Sequence, residues 1–195
     1  KTTAKEMIAA ILVAHLGAKA AFATRGNFNN DIGVPLTLLR LSDAHRMGVV
    51  EMGMNHPGEI AGLAAMTQPS VALVLNAQRE HQEFMDGPEA TARENGTVFG
   101  ALAASGVAVF PGDDPCTPIW QALAQGHCVL NFGLVADEVA LQADAQSMAD
   151  AGTPHLSVAA ARDARPEHFR VRLGKTIVDI RLNIAGRHNV RNALA

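Results

Sequence analysis

Several short stretches of this sequence combine residue types that could bind phosphate esters and the metal ions that accompany them. Lys1-Thr2-Thr3 stands directly before an amphipathic run. In a phosphate loop of the form G-x-x-x-x-G-K-[ST], backbone amides and a helix N-terminus cradle the phosphates. The lysine neutralises charge and the first hydroxyl holds Mg²⁺. Lys1, Thr2 and Thr3 would be the tail of such a loop if Gly-rich residues preceded them. Three residues of this kind also arise by chance, so the motif alone leaves both readings open. Val49-Val50-Glu51-Met52-Gly53 places a carboxylate at the end of an apolar strand, where open α/β sheets bind ligands and an acidic group can reach a phosphate-bound metal. A solvated strand-end Glu51 is the plain alternative. Leu75 to His81 repeats that logic, with His81 a potential second ligand or an ordinary loop histidine.

Two further stretches carry amides. Asn189 and Asn192, three apart in Gly186-Arg187-His188-Asn189-Val190-Arg191-Asn192, share a helical face from which they could read a purine edge. His188 or Asn189 could equally be a helix cap. The loop Gly26 to Gly33 holds Asn29 and Asn30, which suit ligand contact or simple turns.

Positioning these groups requires a specific order of elements. Met7, Ile8, Ile11, Leu12 and Leu16 are spaced as one helix face that ends at Gly17. Ala20–Thr24 predicts a strand, and Pro35 opens a helix through Leu38, Leu39 and Leu41. Met47–Met52 and Val71–Leu75 read as buried strands, separated by a helix from Pro57 through Ile60, Leu63 and Met66. A helix over Pro88–Ala104, a strand over Val107–Phe110, a helix over Pro115–Ala124 and a strand over His127–Phe132 follow. This alternation predicts an α/β fold with a mostly parallel sheet flanked by helices. Phe169–Leu173 and Ile180–Ile184 alternate strictly around Gly174-Lys175, predicting an appended antiparallel hairpin on one mixed sheet. Asp137–Glu167 carries no assignable feature beyond a partly β, polar character.

Composition narrows the class. A net charge of −3 with no basic stripe argues against a nucleic-acid partner. An aromatic content of 4% with no Tyr argues against a base-stacking platform. Cys116 and Cys128 lack metal-ligand spacing and read as reduced thiols. No apolar run reaches bilayer length and no signal peptide is visible, so the expectation is a bacterial cytoplasmic protein without membrane insertion. His45, His56, His127, His155 and His168 read as surface or internally satisfied histidines. The chain reads as one domain over residues 1–195, cropped at both ends.

Taken in order, KTT, GNFNNDIGVPLTLLRL, EMGMNHPGEI, LNAQREH and GRHNVRNALA resemble the central, ATP-binding domain of Mur ligases, in the form of the members that add D-alanyl-D-alanine. The resemblance covers essentially the whole chain and is most specific at 25–41, 49–60 and 186–195. It implies a P-loop-type sheet and flanking N-terminal substrate and C-terminal domains in the same chain. The implied activity is ATP-dependent amide ligation: a carboxylate of UDP-MurNAc-tripeptide becomes an acyl phosphate, and the amine of D-Ala-D-Ala displaces phosphate, in peptidoglycan synthesis. It also implies ATP with two Mg²⁺ ions. Lys1 then corresponds to the phosphate-contacting lysine, Thr2 to the ligand of the ATP-bound metal, and Thr3 to a residue against the phosphates. Glu51 and His81 correspond to ligands of the second metal, Asn189 and Asn192 to the adenine segment, and Asn29 and Asn30 to the side facing the nucleotide sugar.

One departure stands out. Family members often carry a carbamylated lysine on the helix after the catalytic histidine. Here the lysines are Lys1, Lys5, Lys19 and Lys175, and the corresponding stretch is Ala92-Arg93-Glu94-Asn95-Gly96. The expectation is that Glu94 or an anion balances the metal charge. Two other readings remain: a related amide ligase such as a folylpolyglutamate synthase or another amino-acid-adding Mur enzyme, and a non-catalytic nucleotide-binding module. Because the family builds its site at a junction of three domains, the 195-residue chain by itself is expected to fold without turning over.

Overall fold

The computed structural model describes residues 1–77, 87–135, 155–161, 168–173, 176–184 and 186–195. The long opening helix is α1 (Thr2–Leu16), and β1 (Ala21–Ala23) follows it. Then come α2 (Gly33–Leu38), β2 (Met47–Val49), α3 (Glu59–Thr67) and β3 (Val71–Leu73). The middle of the chain contributes α4 (Pro88–Gly96), a short 3-10 turn, β4 (Val107–Pro111), α5 (Thr117–Leu123) and β5 (Cys128–Val135). It closes with β6 (His155–Ala161), β7 (His168–Leu173), β8 (Thr176–Arg181) and α6 (Arg187–Leu194).

The α/β class is as expected, but the sheet is divided. β1 and β2 form a two-stranded parallel sheet, and β3 to β8 form a six-stranded sheet in chain order. Within the larger sheet β3, β4, β5 and β6 run parallel, while β6–β7 and β7–β8 are antiparallel. The helices α4 and α5 provide the crossovers that parallel neighbours need. The hairpin register pairs Leu173 with Thr176 and His168 with Arg181. Its Gly174-Lys175 turn lies outside the described residues.

Between the two sheets lies a cavity of about 630 Å³, lined by Gly48–Met52, Val71–Asn76 and one face of α1. The strands bordering it are shorter than the sequence suggests. Met47 is 54% and Val71 56% exposed. Hydrophobicity read from sequence therefore overstates their burial here.

The core is built by alternation along β4 and β5. Ala108, Phe110 and Val129 face one side with Trp120, Phe99, Ile60 and Ala92, beneath α3, α4 and α5. Val109 and Phe132 face the other side with Phe169, Val171, Val190 and Leu194, beneath α6. Burying both sides of strands is what makes parallel sheets read as continuous apolar runs. Trp120 is fully buried, and its indole N–H donates to the Ala92 carbonyl at 2.9 Å, so its one polar group is satisfied.

Three local expectations are corrected. The helix from Pro35 stops at Leu38, and Leu39, 81% exposed, follows it outside the core. The single helix over Pro88–Ala104 is two pieces: at Thr97 the backbone tightens to 3-10, and the Thr97 hydroxyl donates to the Glu94 carbonyl at 2.7 Å. Within Asp137–Glu167, the unassigned stretch, β6 is a full strand that joins the hairpin to the parallel sheet. Its sequence HLSVAAA lacks large alternating residues; pairing on both edges, rather than propensity, makes it a strand.

Candidate functional site

The carboxyl ends of β2 and β3 and the first residues of α1 converge on Glu51. This carboxylate is only 6% exposed. Its Oε1 accepts hydrogen bonds from the Thr2 hydroxyl at 3.1 Å and from Asn29 Nδ2 at 2.9 Å. Its Oε2 is buried with no hydrogen-bond partner. A buried carboxylate oxygen left bare is costly unless a cation or donor arrives. The backbone around Glu51 is held firmly. Its N–H donates to the Thr24 hydroxyl at 3.0 Å, and the Thr24 carbonyl accepts from Lys5 Nζ at 3.1 Å. Lys5, 3% exposed, thereby ties α1 to the end of β1 and also pairs with Glu6.

Asn29 belongs to this cluster. The Gly53 N–H donates to the Asn29 carbonyl at 2.7 Å, and a Cβ on Gly53 would stand 3.1 Å from the Asn29 side-chain amide. The glycine in EMG therefore makes room for the amide that reaches Glu51. Asn30 has a local partner: its Oδ1 accepts the Gly33 N–H at 2.8 Å and closes the turn into α2. A role of this pair on the sugar side is thus joined, for Asn29, by a contact to the acidic centre, and for Asn30 by a turn-closing bond.

Lys1 Nζ donates to Asn95 Oδ1 at 3.3 Å, and Asn95 Nδ2 donates to the Asn76 carbonyl at 3.4 Å. Asn95, 8% exposed on α4, therefore links the lysine to the end of β3. Thr3, half-buried, lies in the first turn of α1.

Glu94 does not balance charge at this centre. Its Oε2 accepts the Gly58 N–H at 2.8 Å and its Oε1 the Ile60 N–H at 3.0 Å. Both oxygens thus cap the start of α3, where unpaired amides and the helix dipole favour a carboxylate. His81 lies outside the described residues.

On the other face of the sheet, α6 presents Asn189, 5% exposed, and Asn192, half-buried. Both are on one helix, as the spacing predicts. That helix packs on α1, the helix that begins at the lysine and threonines.

A model of the Mur ligase middle domain matches residues 1–195. The chain belongs to the Mur ligase family. Among relatives of this middle domain, the UDP-N-acetylmuramoyl-tripeptide–D-alanyl-D-alanine ligase of Escherichia coli is 36% identical over 100% of this chain and 39% of its own length. The ligase of the same name from Haemophilus influenzae is 34% identical, again over 100% of this chain and 39% of its own. The crystal structure of MurF from Acinetobacter baumannii superposes with a TM-score of 0.81 at 32% identity, covering 99% of this chain and 38% of that one. The Mur ligase middle domain described here thus spans about two fifths of the length of these relatives. No helix among the described residues is long and apolar enough to cross a membrane.

In this Mur ligase domain, sequence reasoning missed Thr24, Asn76 and Asn95. Thr24 ends the strand that pairs with the EMG strand, and a buried hydroxyl there is a readable signal. Asn95 had a weaker one: a polar amide on the buried side of α4, next to Ala92 and Thr91.

Proposed function

We propose that this chain is the ATP-binding middle domain of a bacterial, cytoplasmic ligase that adds D-alanyl-D-alanine to UDP-MurNAc-tripeptide through an acyl phosphate. The observation that carries the reading is the bare, buried Oε2 of Glu51, beside the Thr2 hydroxyl, at the carboxyl edge of a parallel sheet. Such an oxygen suits a divalent cation, which is hard and oxygen-seeking. Thr2 and Glu51, with His81, would hold Mg²⁺. When bound, Mg²⁺ supplies neutralisation of phosphate charge, in two ions on this reading.

The remaining roles belong to the chain. Lys1, steadied by Asn95, presents a cation to the phosphates. Thr3 and the first turn of α1 offer amides at a helix N-terminus. Asn29 holds Glu51 Oε1, which leaves Oε2 as the oxygen that would take the cation. Asn189 and Asn192 receive adenine, and Asn30 shapes the substrate-side loop.

The cavity between the sheets supports the domain assignment. β2 pairs only with β1 among the described residues, and β3 only with β4. Their other edges border the cavity, which opens onto Lys1 and the first turn of α1. The N-terminal substrate and C-terminal domains belong to the same chain on this reading, and the 195-residue chain alone does not turn over.

Phosphate release from ATP by the ligase containing this domain tests the proposal. Release should require both UDP-MurNAc-tripeptide and D-Ala-D-Ala, and should collapse with Glu51→Ala or His81→Ala. Release indifferent to the dipeptide would indicate another amide ligase, such as a folylpolyglutamate synthase or a different amino-acid-adding Mur enzyme. No release would indicate a non-catalytic nucleotide-binding module. Ligation by the 195-residue chain alone would contradict the three-domain reading.

A further inference from the structure

Two consecutive aspartates follow β4, and they are used differently. Asp114 accepts the Cys116 N–H at 2.9 Å and serves the start of α5 locally. Asp113 reaches across the sheet edge instead. Its Oδ2 accepts the Leu134 N–H from β5 at 3.0 Å, and its Oδ1 accepts from Arg191 Nη2 of α6 at 2.5 Å. A Cβ on Gly133 would stand 3.0 Å from the Asp113 carboxyl carbon, so the carboxylate is seated against backbone that has no side chain. Both partners are about two-thirds or more buried, at 27% and 32% exposed. The Arg191 Nε is buried without a hydrogen-bond partner, which leaves Asp113 as the counter-charge among the described residues.

The rest of α6 is anchored by Val190 and Leu194, one turn apart, against Phe132, Phe169 and Val171. Ala193 and Ala195 pack beside them and α1 lies against the helix, but these apolar contacts carry no directional bond. A residue one position on points about 100° around the axis. Arg191 follows Val190, so its ion pair restrains the movement that the apolar stripe leaves open. Asn189 and Asn192 flank Arg191 on the same eight-residue helix.

We infer that Asp113 and Arg191 form a positioning pair that sets the pose of α6, and through it the aim of Asn189 and Asn192 at the nucleotide base. This rests on the adenine role given above to those two amides. On this reading the pair acts on nucleotide binding rather than on the chemical step.

Hydrogen exchange and kinetics test it together. In the ligase containing this domain, without nucleotide, Asp113→Asn should speed amide exchange across residues 190–194 about tenfold, while Val107–Pro111 exchanges as before. In the ligase containing this domain, Asp113→Asn or Arg191→Gln should raise KM for ATP about five- to tenfold and leave kcat within about twofold. The double variant should be no worse than either single one. The reversed pair, Asp113→Arg with Arg191→Asp, should recover most of the loss. Unchanged exchange in α6, unchanged KM, or additive single effects would each overturn the inference. If the wild-type ligase released no phosphate from ATP, the functional reading would fall, while exchange would still judge the brace. Should Asp113→Asn fail to fold, Arg191→Lys provides the same readouts with the charge kept and the guanidinium fork removed.

Discussion

Glu51 and Glu94 are buried to the same degree, each 6% exposed, yet their surroundings use the charge in opposite ways. Glu94 is saturated: each oxygen accepts a backbone amide at the start of α3. Glu51 is half-saturated: one oxygen takes two donors and the other takes none. Burial alone therefore does not mark a functional carboxylate. What separates the two is the count of donors, and an unfilled carboxylate oxygen at the carboxyl edge of a parallel sheet suits a group that takes a ligand.

The largest expected effect lies on the Glu51 side. Glu51→Gln should lower ATP-dependent phosphate release at least ~10³-fold, because it removes charge from where the phosphates' counter-ions gather. The same variant should unfold in urea within about 1 kcal/mol of wild type, since one oxygen of the buried charge is uncompensated in the first place. A large loss of stability would make Glu51 a structural residue and erase the contrast.

Glu94→Ala should show the reverse. Leaving the Gly58 and Ile60 amides unpaired should cost about 2–4 kcal/mol in urea denaturation. If Glu94→Ala is as stable as wild type, the α3 cap carries no weight. Between these lies Asn29→Ala, which removes one donor to Glu51. Phosphate release should fall about tenfold, as a hydrogen bond to a charged acceptor is worth about 1.5–3 kcal/mol. An unaffected rate would mean that Glu51 needs no aiming.

The smallest effect sharpens the comparison with an exposed carboxylate on the same helix as the cap. Glu59 accepts the Asn55 N–H at 2.6 Å and meets His56 Nδ1 at 3.1 Å. The Asn55 amide, and then His56, hold its pKa below the ordinary value of 4.5. A lowered folded-state pKa stabilises the fold above pH 4.5, and that contribution disappears as pH falls through the lower folded value. Glu59→Gln should therefore flatten the acid limb of the stability profile below pH 4.5, by about a few tenths of a kcal/mol, given its exposure. Urea midpoints between pH 3 and 6 check this.

Much of this molecule was legible in its residues. The periodicity of Met7 to Leu16, the apolar runs ending in Glu51 and Asn76, and the alternation in 169–173 specify a helix, parallel strands and the first arm of a hairpin, because burial pattern and backbone geometry share a period. The second arm is Thr176–Arg181, not the expected 180–184, because the register places Thr176 opposite Leu173. The order of motifs carried the family. The division of the sheet was not legible, because apolar strands look alike whether a neighbour is present or not. β6 was not legible either, because HLSVAAA becomes a strand only through its two partners.

The candidate site divides the same way. Sequence by itself determined which side chains carry charge or amides and which ends of which strands they occupy: Lys1, Thr2, Glu51, Asn189. It could not determine how many donors each carboxylate receives. Glu94, the seventh residue of α4 and in a stretch that looked suited to a metal, is satisfied by amides 34 and 36 residues away in the chain. Asn29 reaches Glu51 across 22 residues, and Asp113 reaches Arg191 across 78. Hydrogen bonds act over about 3 Å of space and carry no signature in sequence distance, so only the tertiary structure could decide which carboxylate is filled and which is left open.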